Sequence, residues 1–217
     1  MPSSNPETIP VVISLIWNLA PKSVLDLGAG LGKYGVLFRE YLELRHQHRS
    51  DGQPQCSFIR TNRQVRIDCV EGFPDYIGDL HKIVYDNVYE MNILKFIEKE
   101  FQYDFVFAGD ILEHIDKPIV VQNIIPRLLE RTKMGVLISV PANFGKQEAL
   151  FGNTLEIHRS SWRLKDFNSL APFTKKGHKG NHLIVFMTRD KKYYKIAKEN
   201  ILLHKLRNIY RAVSDSW

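Results

Sequence analysis

The feature that most constrains this chain is the run Val24-Leu25-Asp26-Leu27-Gly28-Ala29-Gly30-Leu31-Gly32-Lys33-Tyr34-Gly35. Ser23–Leu27 is a nearly continuous apolar run closed by glycines, which suits a strand buried on both faces of a parallel sheet. Gly28, Gly30 and Gly32 allow a tight turn and a close backbone approach to a ligand, because no Cβ stands in the way. A helix then starts near Gly32, and its unpaired N–H groups and dipole point back into the turn. A ligand-free strand–helix turn is the plain alternative.

Two ligand classes fit such a turn. A dinucleotide site uses G-x-G-x-x-G, with the pyrophosphate on the helix N-terminus. Here the spacing is Asp26-x-Gly28-x-Gly30-x-Gly32, with an acid ahead of the glycines. A carboxylate there would repel a pyrophosphate. It can instead help hold a ligand with a cationic end. This stretch closely resembles the first motif of class I S-adenosylmethionine (SAM) methyltransferases, whose cofactor carries an amino group, a sulfonium and no phosphate. The resemblance implies a SAM site built on Asp26, Gly28, Gly30 and Gly32.

The rest of the chain alternates strands and helices. Pro6–Leu19 has helical apolar spacing at Ile9, Val12, Ile13, Ile16 and Leu19, with Asn5-Pro6 as its start signal. Gly32–Leu44 reads as a crossover helix with Val36, Leu37, Tyr41 and Leu44 on one side. Residues 45–64 are polar, basic and longer than an ordinary connection, so they read as an insertion loop. Val65–Val70 reads as the second strand and ends at Glu71. A carboxylate in that place can accept both ribose hydroxyls of an adenosine, or it can cap the next helix. Val88–Met91 is a third strand. In class I methyltransferases the residues in the place of Asn92 and Ile93 meet the adenine, although the usual residue at the first position is Asp.

Tyr103–Ala108 is the fourth strand, and Asp110-Ile111-Leu112-Glu113-His114 follows it, with Pro118 beyond. The ends of central strands in an open parallel sheet face the ligand crevice. The segment resembles the D-x-x-E-H-x-x-x-P stretch of many class I enzymes, which places Asp110 by the cofactor's methionine end and near the transferred methyl. Gly135–Val140 is the fifth strand. A loop over Ala142–Leu155 suits a lid or substrate loop. His158, Trp162 and Phe167 follow with the H-x-x-x-W-x-x-x-x-F spacing of the same family.

Asp110, Glu113, His114 and His158 together would make a hard-to-borderline divalent site, suited to Mg²⁺ or Mn²⁺. The set resembles two metal-using groups of O-methyltransferases, one in ubiquinone synthesis and one acting on the 3′-terminal 2′-hydroxyl of small RNAs. Both carry Glu where this chain has the shorter Asp110. In a metal-free enzyme, His114 or His158 is the candidate base.

Ala171–Thr174 and His182–Thr188 read as the last two strands, joined by a basic turn over Lys175–Asn181 that suits an acidic or phosphorylated acceptor. Lys191–Val213 reads as an amphipathic basic helix that packs on the body, dimerises or rests on an anionic membrane surface.

The net charge is +6, but eight Lys/Arg against three Asp/Glu lie from Arg189 onward. The remaining body is close to neutral, which argues against a nucleic-acid partner. Two cysteines, Cys56 and Cys69, do not make a disulfide framework. With neither a signal-peptide pattern nor a spanning run, the expected compartment is cytoplasmic.

The sequence therefore implies a methyltransferase domain over residues 1–189 and a basic helix over 190–217. The expected fold is a doubly wound, mostly parallel seven-stranded α/β sheet of the Rossmann-like class I methyltransferase type. The implied reaction is SAM-dependent O-methylation of a small polar hydroxyl compound, such as a sugar or glycan precursor. Alternatives are a metal-dependent RNA 3′-end 2′-O-methyltransferase, a SAM-fold binding protein without catalysis, and last a dinucleotide oxidoreductase.

Overall fold

A computed structural model describes residues 5–47, 63–143 and 145–199 of the 217. Seven strands form one sheet: β1 Ser23–Leu27, β2 Arg66–Glu71, β3 Asn87–Glu90, β4 Tyr103–Gly109, β5 Thr132–Pro141, β6 Phe173–Lys179 and β7 His182–Thr188. Their order is β3-β2-β1-β4-β5-β7-β6. The first five run parallel; β7 is antiparallel to β5, and β6 is antiparallel to β7. The sheet is thus mixed, with its parallel part at the centre.

Two apolar layers cover the two faces of the sheet. On one face lie α1 (Ile9–Leu19), α2 (Lys33–Gln47) and α3 (Asp79–Val84), with Phe38, Leu42, Val84 and Tyr85 packed on Val24, Phe105 and Phe107. On the other, α4 (Ile93–Phe96) and α5 (117–130) pack with Trp162 and Phe167 on Leu25, Leu27, Val106 and Ala108. The helix α5 begins at Lys117–Ile119, widens to a π segment at Val120–Ile124 and resumes as Ile125–Glu130. Pro126 accounts for the widening. It has no N–H to give and its ring would strike the carbonyl four residues back, so Ile125 N reaches Val120 O instead.

The apolar side expected for α2 is corrected. Tyr41 and Leu44 are exposed, and the buried face is Tyr34, Phe38 and Leu42 together with Arg39 and Glu43. Two charged residues can sit there because they satisfy each other. Arg39 Nη1 meets Glu43 Oε1 at 2.9 Å, Nη2 meets Asp86 Oδ2 at 2.8 Å, and Nε and Nη1 also donate to the carbonyls of Val84 and Val65. Glu43 in turn accepts from Gln64 N and Val65 N. The network fastens the chain where it re-enters the sheet. The helix runs on to Gln47, so it takes in the start of the expected insertion loop; residues 48–62, with Cys56, lie outside the described residues.

The basic turn is also corrected. Lys175, Lys176, His178 and Lys179 lie along β6, the edge strand, and only Gly180-Asn181 makes the turn. Lysines on an edge strand discourage further strand pairing, and Lys176 Nζ donates to Leu164 O at 2.9 Å. After β7, residues 191–199 are helical, with Tyr193 and Ala197 buried and Lys191, Lys192, Lys195 and Lys198 exposed. The remainder of the expected basic helix, 200–217, lies outside the described residues. No helix among the described residues is long and apolar enough to cross a membrane.

Candidate active site

The glycine turn is held from both sides. Gly28 and Gly30 have positive φ, 71° and 55°, and Gly28 N donates to Val70 O at 2.9 Å. Gly30 N donates to Glu71 Oε2 at 2.8 Å, and Gly30 O faces His81 Nε2 at 3.0 Å. Because Gly78 N donates to His81 Nδ1 at 3.3 Å, the ring proton sits on Nε2 and is given to Gly30 O. Burial lowers the His81 pKa, opposed by that bond to Gly30. The other Glu71 oxygen accepts Phe73 N at 2.8 Å. Both carboxylate oxygens thus take main-chain N–H groups, and the carboxylate keeps lone-pair capacity for a further donor. Burial raises the Glu71 pKa, with the backbone bonds pulling against it. Gly32 stands behind the turn, its N on Ala29 O at 3.0 Å, while Gly28 and Gly30 line the cleft.

Asp26 owes its place to strand alternation. It shares the face of Val24, where α3 delivers Tyr85, and the Tyr85 hydroxyl donates to Asp26 Oδ2 at 2.6 Å. Asp26 also lines the cleft. Burial pushes its pKa up to about 7, the Tyr85 bond lowers it, and the Glu71 charge adds to the rise. Across the turn, Asn92 Oδ1 caps α4 through Leu94 N at 2.8 Å, and Asn92 and Ile93 line the same cleft as Glu71 and Tyr76.

The other half of the cleft gathers the acids and imidazoles. Asp110 follows β4 with a positive φ of 52°, its N on Ser139 O at 2.9 Å. Glu113, His114 and His158 each present a ligand atom within 4.8 Å of the others. Asp110 is not in that group; its Oδ1 meets Ser139 Oγ and His182 Nε2, both at 3.3 Å. Glu113 is buried, and its Oε2 has no hydrogen-bond partner among the described residues. Burial, reinforced by the Asp110 charge, holds its pKa well above the ordinary carboxylate value. His114 Nδ1 lies 3.4 Å from Ile157 O, and His158 Nδ1 lies 2.5 Å from Gly145 O. A backbone carbonyl at Nδ1 directs the proton there and leaves Nε2 as the lone pair, the tautomer that a metal ligand needs. Burial lowers the His114 pKa.

The segment after β5 crosses the cleft. Leu150 and Asn153 close a turn through Phe151 and Gly152, both with positive φ. Leu155 packs toward Gly72 at the end of β2, and Arg159 N and Ser160 N donate to Glu113 O at 2.8 and 2.9 Å on the other side. Gln147, Asn153, Leu155 and Glu156 line the cleft. Asn143 reaches Asn181, and Phe144 lies outside the described residues. Trp162 and Phe167 stack in the core with centroids 5.0 Å apart, so they position the segment and do not face the cleft.

The cleft holds about 680 Å³ at the C-terminal ends of the parallel strands. His81, Tyr85 and His182 had no site role in the sequence pattern. They meet the motif residues only through tertiary folding, and no spacing signals them.

The fold as a whole superposes on solved methyltransferase structures. The chain matches the bifunctional kinase–methyltransferase WbdD at 11% identity and TM-score 0.56, over 87% of this chain and 40% of that one. It matches an O-methyltransferase family protein from Burkholderia thailandensis at 16% identity and TM-score 0.56, over 84% of this chain and 56% of that one. This is the class I SAM-dependent methyltransferase fold. The methyltransferase domain of bacterial CtHen1 matches at 17% identity and TM-score 0.53, over 85% of this chain and 98% of that domain. The chain spans about half the length of the first two proteins. No family model and no curated protein sequence matches it. The residues present are chemically compatible with SAM: a glycine turn with no Cβ in the way, a clamped carboxylate at Glu71 with lone pairs that hydroxyls can meet, and two further acids, Asp26 and Asp110, in the lining that a cationic group can face.

Proposed function

We propose that this methyltransferase-fold chain is a SAM-dependent O-methyltransferase acting on a small polar hydroxyl compound, such as a sugar or glycan precursor. The observation that carries the reading is the two-ended cleft, with the clamped Gly30–Glu71 turn at one end and the Glu113–His114–His158 group at the other. SAM, when bound, supplies a methyl group on an electrophilic sulfonium. What the protein must add is alignment and proton removal.

Glu71 would accept the ribose hydroxyls through its remaining lone pairs, and Asn92 and Ile93 would border the adenine. Asp26 and Asp110 would supply negative charge at the cationic end. In a metal-free enzyme, His114 or His158, each with a lone pair on Nε2, would take the proton of the acceptor hydroxyl; with a metal present those lone pairs go to the ion instead. Glu113, His114 and His158 would hold a divalent ion, which lowers the pKa of a bound hydroxyl. Asp110 falls outside that set because it is not among the ligand atoms within 4.8 Å of one another, its Oδ1 facing Ser139 and His182 instead. Arg159 lines the cleft and would suit an acidic or phosphorylated acceptor.

The acid–imidazole group also favours a second reading, RNA 3′-end 2′-O-methylation. The test is transfer of labelled methyl from SAM into a pool of monosaccharides and nucleotide sugars, and into small RNAs, with and without EDTA. Label in the sugar pool is the expected result. Label in RNA alone would replace the reading with the second one. Cofactor binding without transfer to any acceptor would leave a binding protein.

A further inference from the structure

The helix that opens the chain and the last hairpin meet at the cleft in a directed chain of hydrogen bonds. Asn5 Oδ1 accepts Glu7 N at 2.9 Å as the cap of the short 3-10 turn Pro6–Thr8. This fixes the amide, so Nδ2 is the atom that faces His182 Nδ1 at 3.3 Å. An N–H donor opposite Nδ1 requires Nδ1 to accept, which places the ring proton of a neutral His182 on Nε2. Nε2 lies 3.3 Å from Asp110 Oδ1. The buried Ser139 hydroxyl donates to the same oxygen, also at 3.3 Å. Both donors therefore converge on Oδ1, and Oδ2 makes no hydrogen bond among the described residues.

A base is not what this arrangement makes of His182. Both ring nitrogens are engaged, and Nε2 is a donor. Its effect is to orient a carboxylate. Asp110 lines the cleft beside the glycine turn, where the Ile111 side chain fills the space next to Gly28. Lys33 lines the same corner and interacts electrostatically with Asp110. A carboxylate and an ammonium side by side match the two charges of an α-amino acid, one for each.

We infer that His182, oriented by Asn5, is a positioning residue that aims Asp110 Oδ2 at the ammonium of the cofactor's amino-acid end. The inference rests on the proposed methyltransferase reading and extends it to two residues that belong to no motif. It also gives the opening segment a role, since Asn5 completes the cofactor site from outside the sheet.

The test uses two ligands that share an adenosine. S-adenosylhomocysteine carries the amino-acid end, and 5′-methylthioadenosine lacks it. Calorimetric titration is made on the full chain, wild type, His182→Leu and His182→Gln, each with its thermal midpoint recorded. His182→Leu should weaken S-adenosylhomocysteine by about tenfold, the scale of one charge-assisted hydrogen bond, and leave 5′-methylthioadenosine unchanged. His182→Gln keeps an N–H donor at similar reach and should restore most of the loss. Equal affinity of wild type and His182→Leu for S-adenosylhomocysteine would overturn the inference. So would a parallel loss for both ligands, which a purely structural role would produce. Failure of wild type to bind either ligand would bring down the methyltransferase reading itself, a result distinct from the other two.

Discussion

The Tyr85 hydroxyl donates to Asp26 Oδ2 at 2.6 Å, so the acid of the glycine motif is buried against a phenol and not held by a cation. Burial raises its pKa from 3.8 to about 7. The folded, ligand-free protein therefore holds a proton that the unfolded chain releases at a much lower pH. Stability is fullest below the unfolded value and falls as the pH rises through the window from about 4 to about 7, by as much as about 4 kcal/mol. Asp26→Asn removes the titration. Its thermal midpoint should exceed the wild type's at pH 8 and lose that advantage at pH 4. Midpoints that run parallel across the window would show that Asp26 is not the group responsible.

The Gly30 peptide is clamped at both ends, N–H by Glu71 and C=O by His81. Glu71→Gln puts an amide N–H₂ opposite one of two main-chain donors, either Gly30 N or Phe73 N. An unmet buried donor costs about 1–3 kcal/mol, and denaturant unfolding should show a loss in that range. His81→Leu should cost a similar amount by orphaning Gly30 O and Gly78 N. Unchanged denaturation midpoints in both variants would mean that the turn holds itself.

Gly35 lies inside α2, where helix propensity alone favours alanine by about 1 kcal/mol. A Cβ at Gly35 would overlap the Tyr85 ring, and overpacking of this kind costs about 1–3 kcal/mol. Sterics should win, so Gly35→Ala is expected to destabilise and to disturb the Asp26–Tyr85 bond. A stabilised variant would show that Tyr85 moves aside freely.

Much of this was legible in the sequence because it is local. Apolar runs and glycines mark β1 and its turn, and Ser23–Leu27 is a strand in the structure with those same bounds. Glu71 and the Asp110–His114 stretch sit at strand ends, where topology alone puts them in the crevice. What escaped was set by tertiary partners. The buried face of α2 hides behind charges, because Arg39 and Glu43 are apolar in effect only once paired. Lysines on β6 read as a turn, although an edge strand tolerates them. His81, Tyr85 and His182 carry no periodic signal, and each gains its role from a residue far away in the chain.

The acid–imidazole group makes its own prediction. If Glu113, His114 and His158 hold a divalent ion, Mn²⁺ should raise the thermal midpoint of the wild type and EDTA should reverse the shift. Glu113→Gln and His158→Ala should each abolish it, and Asp110→Asn should not. A shift that survives the first two substitutions would place the ion elsewhere.

The most direct test of the central claim is calorimetric titration of the full chain with S-adenosylhomocysteine, for wild type, Glu71→Ala and Asp26→Ala. One-to-one binding by the wild type, weakened tenfold or more in Glu71→Ala and also weakened in Asp26→Ala, is the expected result, at about 1.4 kcal/mol for each factor of ten. A folded wild type that gives no binding heat and no thermal shift with this ligand would contradict the account, and the clamped glycine turn would then be a structural joint alone.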